Sequence, residues 1–218
     1  MKVSIVIPSL NEAGCIAQTL SEIPKDLADE IIVVDANSPD GTADIVRQLG
    51  YRVVLQKSKG FGGGFAEGIE AATGDIVILM NADGSMDPKD IPEMIDRVKQ
   101  GYDCVFAVRY APGYGSEDDD LVHHVGNMLF TFLVNLIHKV FIWDALYFFV
   151  AFRRDKASQI NAKALGFPYC VEFPIRAHKA GLKISQVPSK ERPRIAGVSK
   201  VNAFVDGLKI LKMILLGR

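Results

Sequence analysis

Residues 64–88 read GFAEGIEAATGDIVILMNADGSMDP, and they contain the clearest pattern of secondary structure in the chain. The residues from Gly63 to Ala72 have helical spacing, with glycine at the start. The run Ile76–Met80 is continuously apolar, which is typical of a strand buried on both faces of a parallel sheet. The polar residues Asn81–Ser85 follow that strand directly, at the edge where such sheets bind ligands. The stretch therefore predicts a helix, a buried strand and a binding site in succession.

The same alternation extends outward in both directions. Further strands are predicted at Val3–Ile7, Ile31–Val34, Arg52–Leu55, Asp103–Val108 and Lys183–Val187. Further helices are predicted at Glu12–Ile23, Asp40–Leu49, Pro88–Lys99 and Glu172–Ala180, and an amphipathic helix is predicted at Val201–Leu216. Apolar strands between helices predict an α/β fold, with a mainly parallel sheet covered on both faces.

The charge is distributed unevenly along the chain. The 218 residues carry a formal net charge of −1, yet residues 1–120 hold 10 basic and 21 acidic side chains, and residues 121–218 hold 15 basic and 5 acidic ones. This asymmetry suggests an acidic, cation-binding part and a basic part that faces an anion.

The composition excludes several classes of protein. At 49% hydrophobic residues the chain is not disordered, and without an overall basic excess it is not a general nucleic-acid binder. Its three cysteines, Cys15, Cys104 and Cys170, lack metal-ligand spacing and indicate free thiols in a reducing compartment. The N-terminal MKVSIVIPS has no long apolar signal region and reads as a first strand.

Two carboxylates end predicted strands, and each has two interpretations. Asp83 is a candidate ligand for Mg²⁺ or Mn²⁺, which prefer oxygen ligands and bridge carboxylates to phosphates. The alternative is a turn, because Asp-Gly is a common turn pair. Asp35 could accept a hydrogen bond from a nucleobase or a ribose, or it could cap the next turn.

Glycine-rich and charged segments are also open to two interpretations. Residues 59–64, KGFGGG, could cradle a phosphate at a helix start, or they could form a flexible turn. The residues alone favour the flexible turn. Arg109 and the late basic loop, residues 190–200 (KERPRIAGVSK), could clamp a phosphate or be solvated. The acidic run Glu117–Asp120 is expected to be a solvated loop.

Five segments in this order resemble family-2 glycosyltransferases of the GT-A fold, and among them the branch with dolichol-phosphate mannose synthases and bacterial polyprenol-phosphate glycosyltransferases. They are VSIVIPSLNE (3–12), EIIVVDANSPDGT (30–42), residues 64–88, AVRY (107–110) and ERPRIAGVSK (191–200). The resemblance implies a Rossmann-like GT-A domain in one continuous unit. Residues 1–110 would bind the nucleotide sugar, and residues 111–218 would bind the acceptor and supply the basic loop and the C-terminal amphipathic helix.

The resemblance also implies roles for individual residues. Asp83 matches the metal-binding last Asp of the DxD motif, Asn81 replaces its first Asp, and Ser85 stands where a further Mg²⁺ or Mn²⁺ ligand occurs. The other implied contacts to the nucleotide sugar are Pro8, Leu10, Glu12 and Asp35, to which we add Lys59 and Ala82. The basic residues implied near the donor diphosphate and acceptor phosphate, and in catalysis with Asp83, are Arg109, Arg194 and Lys200.

Three functions remain open on the sequence. The leading hypothesis is metal-dependent, inverting transfer of a sugar from a nucleotide diphosphate sugar to a polyprenyl phosphate. The first alternative is a non-processive glycosyltransferase with a hydroxyl acceptor in polysaccharide or glycolipid synthesis. The second is a catalytically weak nucleotide-binding partner of a membrane protein, which Asn81, Ala36 and Val150 motivate by departing from the family pattern.

The expected location is the cytoplasm, with peripheral contact at the cytoplasmic face of the membrane left open. The apolar run Val125–Trp143 contains Asn127, Asn135, His138 and Lys139, which makes it a poor candidate for crossing a bilayer. That run and Val201–Leu216 could lie in the membrane interface, or they could pack in the core or in a homodimer.

Overall fold

Seven strands form one sheet in the order β3-β2-β1-β4-β6-β5-β7. The computed structural model describes residues 1–198, 200 and 202–217. The strands are β1 (Val3–Ser9), β2 (Glu30–Asp35), β3 (Arg52–Leu55), β4 (Ile76–Leu79), β5 (Cys104–Val108), β6 (Val150–Arg153) and β7 (Ile184–Pro188). All pairs are parallel except those of β6, which runs antiparallel between β4 and β5. The predicted α/β class and mainly parallel sheet are confirmed.

Helices connect the strands on both faces of the sheet. They are α1 (Ile16–Glu22), α2 (Thr42–Gln48), α3 (Gly60–Ala71), α4 (Ile91–Lys99), α5 (Leu121–His138), α6 (Ala157–Ile160), α7 (Tyr169–Lys179) and α8 (Ala203–Leu216). Short 3₁₀ turns at Pro88–Asp90 and Arg154–Lys156 precede α4 and α6. The predicted helix Val201–Leu216 included Val201, which lies outside the described residues.

The core is divided by the sheet into two layers. Successive strand residues point to opposite faces, so Ile5 and Ile7 pack with α1, α2 and α4, while Val6 packs with α3, α5, α7 and α8. The second layer contains a cluster of aromatic rings in which Phe148 packs edge-on against Phe65 and Phe173. The sheet is thus covered on both sides, as its continuous apolar strands predict.

One side of α5 and α8 is left uncovered. Only Thr131 and Val134 of α5 are buried, although its 18 residues have a mean hydropathy of 1.2, long and apolar enough in principle to span a membrane. The two helices contact each other through the His138 ring and the Ile214 carbonyl oxygen, 2.7 Å apart. Their exposed apolar residues are Leu121, Val122, Val125, Met128, Leu129, Phe132, Leu136, Ile137, Phe204, Val205, Leu208, Leu215 and Leu216, and we call this surface the α5–α8 apolar face. Phe141 and Trp143, 72% and 51% exposed, line a surface pocket together with Met128 and Phe132 of this face.

Candidate active site

Two adjoining cavities open at the carboxyl edge of the parallel strands. The β1 cavity, of about 330 Å³, is lined by residues at or just beyond the carboxyl ends of β1, β2, β3 and β4, and by Phe167, Arg194 and Lys200. The β5 cavity, of about 210 Å³, is lined by residues that follow β4 and β5 and by residues that precede β6. The residues common to both cavities are Phe61, Asn81, Asp83, Phe167 and Arg194. A molecule that passes between the cavities must therefore meet these five side chains.

Asp83 lies at this junction and is held in a fixed orientation. Its Oδ1 accepts hydrogen bonds from the backbone N–H and the hydroxyl of Ser85, at 3.1 and 2.8 Å. Its Oδ2 accepts from the Arg194 guanidinium at 3.0 Å. The Ser85 hydroxyl thus orients the Asp83 carboxylate by donating to it. The predicted role of Ser85 as a metal ligand stays a prediction.

Asn81 has a side-chain oxygen that is available to a cation. Its side-chain Oδ1 is buried and has no hydrogen-bond partner within the described part of the chain. A buried carbonyl oxygen without a donor is costly, and it is a suitable ligand for a hard cation. Among residues 1–198, 200 and 202–217, no three His, Cys, Asp or Glu side chains cluster around a metal position. The residues present therefore fit a Mg²⁺ or Mn²⁺ ion that takes most of its ligands from phosphate oxygens and water.

Most of the predicted nucleotide contacts line the β1 cavity. These residues are Pro8, Leu10, Glu12, Asn81, Ala82 and Asp83. Lys200, predicted near the phosphates, lines the same cavity. The Lys200 ammonium lies 3.4 Å from Glu12 Oε1, so a cation reaches the cavity from the basic loop. Gln56 also lines the cavity and is 7% exposed; its amide nitrogen donates to the Gly60 carbonyl oxygen at 2.8 Å.

Asp35 lines neither cavity, and its predicted contact with the base or the ribose stays a prediction. It is fully buried, and it accepts hydrogen bonds from the Ser9 hydroxyl at 3.0 Å and from the Ser38 backbone N–H and hydroxyl at 2.8 and 2.7 Å. Both carboxylate oxygens are thus used within the protein. Asp35 caps the turn after β2 and ties it to β1, which was the alternative interpretation.

The glycine-rich segment is not a flexible turn, and a role as a phosphate cradle stays a prediction, since Gly60 and Phe61 line the β1 cavity. Gly60–Gly64 form the first turn of α3, and a Cβ at Gly62 would lie 2.7 Å from Tyr169 Cβ and closer still to the Ala164 carbonyl oxygen. This close packing sets the ring of Phe61 against that of Phe167, 4.8 Å apart and nearly parallel. Lys59 is exposed outside both cavities, so its predicted contact with the nucleotide sugar is not supported.

Arg109 lines the β5 cavity, but its charge is already compensated. It is 4% exposed and donates to Asp144 at 2.6 and 3.3 Å, to Glu191 at 2.8 Å and to Asp119 at 3.5 Å. Burial alone lowers the pKa of the guanidinium, yet the carboxylates of Asp144 and Glu191 outweigh this and raise it well above its ordinary value. A phosphate bound by Arg109 would have to compete with three carboxylates, so its predicted catalytic contact is not supported by this arrangement.

The basic loop crosses the junction of the two cavities. The Ile195 backbone N–H donates to the Asp83 carbonyl oxygen, and that of Arg192 donates to the Ser85 carbonyl oxygen, both at 2.9 Å. The Arg192 side chain binds Glu22 at 2.7 Å and the Gly84 carbonyl oxygen at 2.8 Å. The structure thus brings Arg194 and Lys200 to the site, as predicted, and uses Arg192 as an anchor.

Several residues of the site were not singled out by the sequence. Asp118 and Asp119, expected in a solvated loop, line the β5 cavity together with Glu191. Burial is the main cause that raises the pKa of the Glu191 carboxyl above its ordinary value. Phe167 was also missed because its partner Phe61 is distant in sequence. The one available signal for Glu191 was its place at the start of the matched segment 191–200.

Comparisons with known proteins identify the family that this chain resembles. A model of the family described as glycosyl transferase family 2 matches residues 4–160. An uncharacterized glycosyltransferase of Mycobacterium tuberculosis is 31% identical over 205 residues, which cover 94% of this chain and 92% of that protein.

Two solved structures have the same fold. Glucosyl-3-phosphoglycerate synthase from Mycobacterium tuberculosis, crystallised with Mn²⁺, uridine diphosphate and phosphoglyceric acid, has a TM-score of 0.78 at 22% identity over 99% of this chain and 78% of that one. Mannosyl-3-phosphoglycerate synthase from Rubrobacter xylanophilus also has a TM-score of 0.78, at 23% identity over 100% of this chain and 74% of that one.

Proposed function

Because this chain belongs to glycosyl transferase family 2, we propose that it transfers a sugar from a nucleotide diphosphate sugar to a polyprenyl phosphate at the cytoplasmic face of a membrane. The nucleotide part of the donor binds in the β1 cavity, and the acceptor phosphate binds in the β5 cavity. The sugar lies at the junction between them.

Asp83 and Asn81 are the residues that hold a divalent cation in this proposal. When bound, Mg²⁺ or Mn²⁺ supplies charge neutralisation to the leaving diphosphate. Both similar phosphoglycerate synthases share the fold, and the first was crystallised with Mn²⁺ and uridine diphosphate, which supports the assignment of cation and donor class. Lys200, in the β1 cavity, adds a positive charge on the donor side.

The reaction proceeds by inversion at the anomeric carbon. An oxygen of the acceptor phosphate attacks that carbon in line, a new carbon–oxygen bond forms, and the bond to the diphosphate oxygen breaks. The acceptor oxygen is already anionic at neutral pH, so no base has to remove a proton. Arg194, which lines both cavities, offsets the repulsion between the two phosphate groups.

The observation that carries the choice of acceptor is the α5–α8 apolar face beside the β5 cavity. His123 and Asn127 of α5 and Ile210 of α8 line this cavity. Their neighbours Leu121 and Val122 are 77% and 71% exposed. Apolar surface of this extent favours contact with lipid or with another protein, and a polyprenyl chain that leaves the cavity would lie along it.

The test is release of UDP or GDP from a panel of nucleotide sugars, with Mn²⁺ and a short polyprenyl phosphate in vesicles. Release that depends on the polyprenyl phosphate, and not on the matching polyprenol, supports the proposal. The Leu129→Glu/Phe132→Glu double variant should lose vesicle binding, because these side chains are 51% and 59% exposed on the apolar face. Leu49→Glu, at a 47% exposed position on the other side of the sheet, is the matched control.

A hydroxyl acceptor is the second candidate, and the carboxylates of the β5 cavity favour it. Asp118, Asp119 and Glu191 line this cavity, and the charge of Arg109 is compensated. A hydroxyl acceptor needs a general base, and the raised pKa of Glu191 makes its carboxylate a stronger base than usual. Nucleotide release that depends on the polyprenol or on 3-phosphoglycerate would select this candidate. Absence of release with every donor and acceptor would contradict both.

A further inference from the structure

Arg194 occupies the carboxylate oxygen that a divalent cation needs. Its guanidinium donates to Asp83 Oδ2 at 3.0 Å, while the other oxygen of Asp83 is engaged by Ser85. The Asn81 Oδ1 at the same junction has no donor within the described residues. The carboxylate is thus bound by a cation of the protein itself, and the neighbouring amide oxygen is not.

We propose that Arg194 and the divalent cation exchange at Asp83. A guanidinium and a doubly charged ion repel each other at this distance, and Asp83 alone cannot compensate both charges. When the cation binds, the Arg194 side chain must therefore leave Oδ2. When the cation leaves, Arg194 returns and keeps the buried carboxylate paired.

The exchange requires movement of the side chain and not of the loop. The Ile195 backbone N–H is bonded to the Asp83 carbonyl oxygen at 2.9 Å, so the backbone beside Arg194 is anchored to the cation site itself. Packing is also close here, since a Cβ at Gly84, whose φ is +76°, would lie 2.7 Å from Ile195 Cγ1. The Arg194 side chain is 21% exposed and has room to turn.

The released guanidinium of Arg194 has a second carboxylate, Asp118, within reach. Arg194 Nε lies 4.0 Å from Asp118 Oδ2, and the Arg194 backbone N–H donates to Asp118 Oδ1 at 3.4 Å. Asp118 lines the β5 cavity and not the β1 cavity. Cation binding on the donor side therefore delivers a positive charge to the other cavity, which is where the proposed function binds the acceptor phosphate.

The first experiment measures Mn²⁺ binding to the full chain by calorimetry, without donor or acceptor. Arg194→Gln removes the competing charge and should lower the Kd for Mn²⁺ about tenfold, or ~1.4 kcal/mol. Lys190→Gln makes the same change of charge in the same loop, but Lys190 binds Glu117, so it should change the Kd less than twofold. Asp83→Asn should abolish binding. An Arg194→Gln Kd equal to or higher than that of Lys190→Gln would overturn the exchange, provided that thermal melts show both variants folded.

The second experiment follows Arg194 in the unaltered protein. Phenylglyoxal labels solvent-accessible guanidinium groups, and mass spectrometry quantifies the label at each arginine. Saturating Mn²⁺ should raise labelling at Arg194 several-fold, because its guanidinium moves from Asp83, whose side chain is 10% exposed, towards Asp118, whose side chain is 31% exposed. Labelling of Arg192, which stays bonded to Glu22, should not change. Equal labelling of Arg194 with and without Mn²⁺ would overturn its displacement. Because neither experiment contains donor or acceptor, their failure is distinct from failure of the proposed sugar transfer.

Discussion

Replacing Arg109 with Met should destabilise the protein strongly, because the guanidinium compensates three carboxylates. Asp144 has a side chain with no exposed area, and those of Glu191 and Asp119 are each 11% exposed. Breaking a buried ion pair from one side typically costs about 3–5 kcal/mol, since the remaining charge is left without a partner. Met retains the length and the apolar stem of Arg, so the loss comes mainly from the charge and its hydrogen bonds.

The free energy of unfolding is measured by urea titration followed by circular dichroism. The expected fall of ~3–5 kcal/mol corresponds to a lower urea midpoint by about 1 M or more. Arg153→Met is the matched control, because Arg153 pairs with Asp155 at 3.1 Å with both side chains well exposed, and such pairs contribute about 0–1 kcal/mol.

A double variant identifies the cause of the loss. Arg109→Met combined with Asp144→Asn removes the most deeply buried of the three unpaired charges but keeps an oxygen that accepts from the backbone N–H groups of Leu146 and Tyr147. It should therefore be more stable than Arg109→Met alone. A fall below ~1 kcal/mol for Arg109→Met, or no recovery in the double variant, would refute the reasoning from buried charge.

Two further predictions concern close packing and pH. Gly62→Ala should lower the free energy of unfolding by about 1–3 kcal/mol, because the added Cβ would overlap Ala164 and Tyr169. Gly126→Ala is the control: Gly126 lies within α5 with open space around it, so this change should be neutral or stabilising. Equal effects of the two changes in thermal melts would contradict the prediction. Burial raises the pKa of the Glu191 carboxyl in the folded state. Above about pH 4.5 the folded protein therefore binds more protons than the unfolded chain. As the pH rises through this window, ionisation of Glu191 lowers the free energy of unfolding. The stability of Glu191→Gln relative to the unaltered protein should therefore increase with pH across that window in urea titrations, and a difference independent of pH would contradict the shift.

Most strands were predictable because a strand that is buried on both faces appears in the sequence as a continuous run of apolar residues. Ile31–Val34 was predicted, and β2 runs from Glu30 to Asp35. β6 (Val150–Arg153) was not predicted, because it lies within an aromatic-rich segment, residues 143–154, where no turn residue marks its start. Apolar runs thus predict strands well when polar or turn residues separate them.

The candidate site was predictable where a residue follows a strand, and not where a distant partner decides its role. Asp83 follows β4 and lies, as predicted, beyond the carboxyl end of that strand, where the two cavities join. Asp35 ends β2 at the same edge, yet it is fully buried and accepts hydrogen bonds from Ser9 and Ser38. Arg109 pairs with Asp144, which is 35 residues away in the sequence. This contact depends on how the whole domain packs, so the spacing of neighbouring residues does not predict it.

The reversed strand β6 also sets the breadth of the space between Asp83 and Arg109. These residues follow β4 and β5, which are not neighbours, because β6 is inserted between them. Neighbouring strands lie about 4.8 Å apart, so the insertion separates the two strand ends by roughly 10 Å. Since β6 runs the opposite way, the segment that leads into it, including Phe148, lies at this same edge and lines the β5 cavity. Changes in residues 139–149 could therefore enlarge or narrow the β5 cavity, while the β1 cavity on the other side of Asp83 keeps its dimensions.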